Sequence, residues 1–368
     1  MSAPLLTDDQ RLDWLRLTQS ENVGPATFRQ LINRYGSATA AIDALPELSQ
    51  RGGLSRPLKV YPVERARRDL ENAARAKAQF VAPGESGYPA LLRHIDGAPP
   101  LLCIKGNPTW ADFESVAIVG ARNASAIARK FARQLAAELG EAGYLIASGL
   151  ARGIDTAAHE SALERGTAAV LAGGIDHIYP PENEALHHAI GAKGLLITEM
   201  IPGAVPRAEH FPRRNRIISG MSRAVIIVEA AMRSGSLITA RLANEQGREV
   251  FSVPGSPMDP RCEGTNKLIR DGATLLTKAQ DVIDALRDMP YSPGGDVFLE
   301  SEAEEPLPET DVRDARARIH GLLSPSAIDI DDLIRESALP ANIVIGVLLE
   351  LELAGKIQRQ ARGRVALA

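Results

Sequence analysis

The segment EHFPRRNRIISGMSRAVIIVEAAMRSGSLITARLANEQGREVFSVPG, residues 209–255, sets the pattern by which the rest of the 368-residue chain can be read. Between Arg223 and Glu229 lies the run Ala-Val-Ile-Ile-Val, wholly apolar and rich in β-branched residues. So short a run with polar ends reads as a strand buried on both faces of a parallel sheet. The loop Arg233-Ser234-Gly235-Ser236 follows, then a helix predicted over 237–245 and a strand over 249–253, closed by Pro254-Gly255. In a parallel α/β sheet such loops stand at the carboxyl ends of strands, where ligands bind. Residues 209–248 hold seven arginines, three glutamates and no lysine, a net +4 in a chain whose total is −4. That local excess points to an anionic ligand.

The same alternation extends on both sides. Strands are predicted at 116–119, 145–147, 168–171, 195–197, 225–228 and 249–253, and helices at 127–139, 155–164, 182–190 and 237–245. This is the signature of an α/β fold with a doubly wound parallel sheet. Residues 1–80 read as a small helical N-terminal domain. Within it, Val23-Gly24-Pro25 opens a helix in the manner of a helix-hairpin-helix element, whose first amides can hold a phosphate. A Pro/Gly-rich entry at 81–112 leads into the α/β domain, which is expected to span 81–287. Residues 288–311 carry eight acidic residues, four prolines and no Lys or Arg, the composition of an acidic linker. Residues 312–368 suggest a winged helix, with helices at 315–323, 330–337 and 341–354 and a basic hairpin carrying Lys356, Arg359, Arg362 and Arg364. A DNA reader needs basic or amide side chains on its third helix. Here that helix is ANIVIGVLLELELA, with no basic residue and two glutamates, so packing or protein contact is the expected role.

Composition narrows the functions. A pI near 6.0 leaves nucleic-acid binding to a local patch. Cys103 and Cys262 lack metal-ligand spacing and read as reduced thiols of a cytoplasmic protein. The opening MSAPLLTDDQR does not resemble a signal peptide, and no apolar run approaches membrane-spanning length. Aromatics make up 4%, which leaves few stacking platforms for bases.

The loops after the predicted strands carry the candidate site. Gly120-Ala121-Arg122-Asn123-Ala124-Ser125 has the spacing of the dinucleotide fingerprint, with Arg and Ser where the second and third glycines belong. An arginine there blocks the approach of a pyrophosphate to the backbone but offers a fork for a phosphate. Ser125 can cap the next helix, whose amino end favours an anion. After the second strand, where an acidic ribose reader is expected, stand Ser148-Gly149, which argues against NAD. Asp155 and His159 lie one turn apart on the helix that follows. As an acid–base pair or metal site they are incomplete, and a local cap accounts for them better. Gly120, Ser148-Gly149, Gly173-Gly174 and Ser234-Gly235-Ser236 converge on one sheet edge. Arg122, Arg152, Arg213, Arg214 and Arg216 surround them, though some of Arg213, Arg214 and Arg216 can instead pair with Glu199 or Glu229 and serve the fold. Together they describe an extended groove for phosphates.

The strings VGARNAS, SGLARGIDTAAHE, AGGIDHIYPPEN, FPRRNRIISGMS, RSGSLITARLANEQGREVFSVPG and GTNKLIRDGA resemble the DNA-processing protein A (DprA, or Smf) family over about residues 86–277. The resemblance implies an extended Rossmann-like domain that binds single-stranded DNA, protects incoming strands in natural transformation and loads the RecA recombinase, as a homodimer. From Arg122 in the glycine position and the missing acidic reader, no catalysis and no cofactor are expected. The family's motifs carry over to Gly120, Arg122, Ser125, Ser148, Gly149, Arg152, Gly173, Arg213, Asn215, Arg216, Ser234, Gly235 and Ser236. Arg214 joins this set as a neighbour in the basic cluster. The alternative is a nucleotide-processing hydrolase of a related Rossmann-like family, of the lysine-decarboxylase-like kind. Such an enzyme would show a Pro-Gly-Gly-x-Gly-Thr loop with a catalytic glutamate after it. Here Ser234-Gly235-Ser236 is followed by Leu237-Ile238-Thr239, with no glutamate before Glu245.

Overall fold

The computed structural model describes residues 5–289, 309–360 and 363–368. The expected acidic linker lies almost wholly outside the described residues, as does Arg362 of the basic hairpin. The chain forms two compact units: one runs from residue 69 to the end of the α/β elements, and the other joins residues 6–68 to the C-terminal elements.

The second unit begins with three helices, α1 (Asp8–Gln19), α2 (Pro25–Tyr35) and α3 (Ala38–Arg51). Thr7 and Gln10 form a capping box at the start of α1. Pro25 fits the first turn of α2, where its missing N–H is no loss. Trp14 and Phe28 meet edge to face at 4.9 Å in the core of this module. Helix α4 (Val63–Arg75) carries the chain into the α/β unit.

There the elements follow in the order β1 (Ala78–Val81), β2 (Leu102–Gly106), β3 (Ser115–Gly120), α5 (Ala126–Glu141), β4 (Leu145–Ser148), α6 (Ile154–Ala162), β5 (Thr167–Val170), α7 (Glu184–Lys193), β6 (Leu195–Thr198), α8 (His210–Met221), β7 (Ala224–Val228), α9 (Gly235–Glu245), β8 (Glu249–Ser252), α10 (Glu263–Arg270), β9 (Thr274–Leu275) and α11 (Ala279–Arg287). Among the described residues nine strands form one sheet, ordered β1-β2-β6-β5-β4-β3-β7-β8-β9. Strands β3 to β9 are parallel, and β2 pairs antiparallel with both β1 and β6. The predicted strands are present within a residue or two of their expected limits, and the fold is the extended doubly wound sheet. Strands β1 and β9 and helices α8, α10 and α11 were not foreseen.

Successive residues of β3 point to opposite faces, as a strand requires. Val116 and Ile118 pack with Ala132, Leu135 and Leu139 of α5. Ala117 and Val119 pack on the other side with Ile217 and Ile218 of α8. Helices thus cover both faces, which is why the central strands are apolar throughout. No described helix is long and apolar enough to cross a membrane.

The second unit closes with α12 (Glu309–Leu322), β10 (Ile328–Asp329), α13 (Ile330–Ser337), α14 (Ala341–Leu353), β11 (Ile357–Gln360) and β12 (Arg364–Leu367), the strands forming a small antiparallel sheet ordered β10-β12-β11. This is a winged helix. Val344, Val347, Leu348 and Leu351 of α14 face its core. Leu349 and Leu353 are buried too but are not part of that core, and α14 also packs against α3. The approach is close, since a Cβ on Gly52 would stand 1.9 Å from the Glu350 carbonyl oxygen. Asn22 Nδ2 donates to the Leu353 carbonyl at 2.9 Å, and Arg359 donates to Gln30 Oε1 at 2.8 Å. The helix that would read DNA is therefore covered on two sides.

Candidate nucleic-acid interface

Strand β3 has β4 on one side and β7 on the other, so the strand order reverses between β3 and β7. Ligands of open α/β sheets bind outside the carboxyl ends of the strands at such a point. A cavity of about 980 Å³ opens there, lined by the loop after β3 (Gly120 to Asn123), the loop after β7 (Ala231 and Arg233 to Ser236) and the start of α8.

Of the Gly/Ser strand ends, Gly120 and Ser234 to Ser236 line the cavity, and Ser148, Gly149 and Gly173 do not. A Cβ on Gly120 would stand 1.9 Å from the Val228 carbonyl oxygen, so β3 and β7 close up only on a glycine. A Cβ on Gly149 would meet the Arg214 guanidinium at 2.5 Å, and one on Gly173 would meet Pro206 at 2.9 Å. Ser148 is fully buried and donates to the Ile118 carbonyl at 2.6 Å. Its expected place among groove contacts is corrected: it ties β4 to β3.

The arginines divide sharply. Arg214 is buried, donating to the carbonyls of Gly149, at 2.7 Å, and of Val170. Burial pulls its pKa down to about 10 and Asp155 pushes it back up, so it remains a cation at neutral pH. Burial in turn raises the Asp155 pKa, opposed by Arg214 and by the Gly149 and Ala151 amides, which donate to Asp155 at 3.1 and 3.2 Å. Arg214, expected as an open phosphate contact, is a strut with its donors turned to the protein. Arg216 is tied to Glu199 and to the Gly97 carbonyl at 2.6 Å, and Arg213 pairs with Glu199 at 3.1 Å. Exposed Arg152 reaches Glu182 at 2.5 Å. Such a surface pair is screened by solvent and opens readily.

Two arginines on the cavity wall, Arg122 and Arg233, are exposed and have no carboxylate within ion-pair distance among the described residues. The Arg122 guanidinium lies over the Phe211 ring, 5.3 Å from its centroid. Phe211 packs against Tyr179 at 5.4 Å, and Tyr179 is 44% exposed. A stacked cation and two aromatics thus stand together at the crevice, a surface on which bases stack. A 4% aromatic content concealed this, because two rings suffice when the fold brings them together. Arg233 was missed as a site residue. Its signal was position, immediately before the Ser/Gly loop at the end of an apolar strand.

That loop starts α9. Ser234 caps the helix, and its hydroxyl lies 2.7 Å from that of Ser236. Gly235 is exposed with open space around it, and its carbonyl accepts from Asn215 at 3.3 Å, which anchors the loop to α8. Ser125 caps α5 by accepting the Ala128 N–H at 3.0 Å. The phosphate expected at that helix start is displaced by a correction: the Glu229 carboxylate is there, accepting the Ser125 N–H at 2.8 Å and the Ser125 hydroxyl at 2.5 Å.

Asp155 and His159 form no acid–base pair. His159 is enclosed, with Nδ1 2.7 Å from Thr167 Oγ1, and burial pulls its pKa down to about 3. Glu229, Asp259 and Cys262 bring one ligand atom each within 4.8 Å of one another. The group fits a metal poorly. Glu229 is engaged with Ser125, Asp259 holds Arg261 at 2.7 Å, and burial raises the Cys262 thiol pKa, whereas a metal needs the thiolate.

The family model of DNA recombination-mediator protein A matches residues 79–287. The chain belongs to that family. Models of a DprA-like N-terminal HHH domain and a DprA winged helix domain match residues 8–72 and 302–363. Protein Smf of Synechocystis is 30% identical over 391 aligned positions, covering 96% of this chain and 98% of the relative. DNA processing protein DprA of Streptococcus pneumoniae is 48% identical over 198 residues, 53% of this chain and 70% of the relative. Its solved structure matches with a TM-score of 0.63 and 35% identity, covering 78% of this chain and 100% of that one. The structure of Helicobacter pylori DNA processing protein A, which concerns that protein's single-stranded DNA binding mode, matches with a TM-score of 0.53 and 30% identity over 57% of this chain and 96% of that one. A DNA-processing recombination mediator is the role this family carries.

Proposed function

We propose that the crevice at the β3–β7 switch point binds single-stranded DNA without catalysing a reaction, that the bound strand is protected during natural transformation, and that it is then passed to RecA by a cytoplasmic homodimer. The observation that carries this reading is the pair of uncompensated cations, Arg122 and Arg233, on the wall of a cavity that also presents Phe211 and Tyr179. Arginine forks suit phosphates and rings suit unpaired bases. A duplex hides its bases, and α14, the helix a winged helix would use in a groove, is covered on two sides. The H. pylori relative supports the ligand class. Fluorescence anisotropy with an oligo-dT strand and the matching duplex tests the reading. Preference for the single strand, with a log–log salt slope growing by about 0.7 per phosphate contact, is expected. Equal affinity for the duplex would sink it.

A further inference from the structure

The end of β7 holds a residue that strand binding alone does not explain. Glu229 has φ of +49° and is 9% exposed. The left-handed region costs a non-glycine residue about 1 kcal/mol or more and suits Gly, Asn or Asp better. What glutamate supplies at this turn is its carboxylate. It accepts both the amide and the hydroxyl of Ser125, while the Ser125 hydroxyl accepts from Ala128. The amino end of the sixteen-residue helix α5 is thus already neutralised by an anion that belongs to the chain.

The backbone delivers Glu229 to this place. Gly120 and Val228 are partners in the parallel ladder, and Ala121 N donates to the Val228 carbonyl at 3.4 Å. The residue after Val228 therefore emerges over the loop that leads into α5. In dinucleotide-binding sheets the same helix start receives the pyrophosphate. A diphosphate entering here would displace two hydrogen bonds and face a like charge.

We propose that Glu229 is a specificity-determining residue: a built-in carboxylate standing where a nucleotide's diphosphate would lie, which turns free nucleotides and dinucleotides away and leaves Arg122 and Arg233 to the phosphates of a polymer. The last clause rests on the single-strand reading; the exclusion does not.

The test is calorimetric titration of inorganic pyrophosphate and of ADP into the full chain, with the Ser125 amide followed by NMR. Glu229→Gly suits the positive φ and empties the position. Pyrophosphate should bind this variant at least tenfold more tightly than the parent and shift the Ser125 amide. An unchanged affinity, or a parent chain that already binds pyrophosphate at Ser125, overturns the proposal. Should Glu229→Gly fail to fold, Glu229→Gln decides, because it removes the charge at constant size: a gain of threefold or more supports the proposal, and no gain overturns it. Oligo-dT titration of the parent separates the two readings. A chain that ignores the oligonucleotide but gains pyrophosphate binding on Glu229→Gly keeps this inference and loses the single-strand function.

Discussion

The switch-point crevice and the C-terminal winged helix both carry arginines that a sequence reader would assign to DNA, yet the fold treats them in opposite ways. In the crevice Arg122 and Arg233 are exposed and without a carboxylate partner among the described residues, Arg122 lying over an aromatic ring. In the winged helix Arg359 is held by Glu352 at 2.8 Å and by Gln30, and Arg316 by the buried Glu350 at 2.6 Å. What distinguishes a ligand site from a strut is the protein acceptor, carboxylate or carbonyl, within reach of each cation. The crevice leaves Arg122 and Arg233 over, whereas Arg316 and Arg359 of the terminal unit are engaged within it.

The largest effect that could break this contrast concerns α14. Leu353→Ala should cost the terminal unit about 2–5 kcal/mol, the usual cost of truncating a fully buried leucine, while oligo-dT affinity stays unchanged. Denaturant melts beside anisotropy read both, and a parallel loss of DNA binding would place α14 in the interface. Next, Arg122→Ala should cost about 1.5–3 kcal/mol of strand binding at unchanged melting temperature. Lysine should rescue poorly, lacking the planar fork. A variant that binds like its parent would move the phosphate track off this loop.

A third effect is titration of the α/β unit. Burial lowers the pKa of His159 to about 3 and that of His187 to about 4, from 6.5. The unfolded chain therefore binds more protons between about pH 6.5 and pH 4. Stability should be full above pH 6.5 and fall as the pH drops, by up to about 1.4 kcal/mol per unit for each histidine. Urea melts at several pH values check this, and replacing both histidines with asparagine should flatten the dependence. The smallest effect is expected for Arg359→Ala, which should change strand binding by less than about 0.5 kcal/mol, because Glu352 and Gln30 already hold its guanidinium. A loss of tenfold, about 1.4 kcal/mol, would make the basic hairpin part of the interface.

The sheet was legible because strands buried on both faces must be apolar and β-branched, as 224–228 is. Helix α8 was not, since Pro212, three arginines and Gly220 mask the buried stripe of Ile217, Ile218 and Met221. Strand β1 was hidden in a short segment, Ala78–Val81, that pairs only with β2. Of the candidate site, the Gly/Ser loops were found because their spacing is local. The pairing of Arg213 and Arg216 with Glu199 was among the open alternatives, but the burial of Arg214 against two backbone carbonyls and the reach of Arg152 to Glu182, 30 residues on, were not legible. Glu229 was expected as a partner for an arginine; its actual partner escaped notice, since nothing local marks a carboxylate that folds back 104 residues to Ser125.

The packing of α14 on the N-terminal helices also sets a clock for biosynthesis. Asn22 and its partner Leu353 are 331 residues apart. At a synthesis rate of about 5–20 residues per second, the N-terminal module waits roughly 15–65 s before the helix that covers it has left the ribosome. During that interval the α/β unit, whose strands are contiguous in the chain, can close alone. The first residues to be made are then among the last to reach their final surroundings.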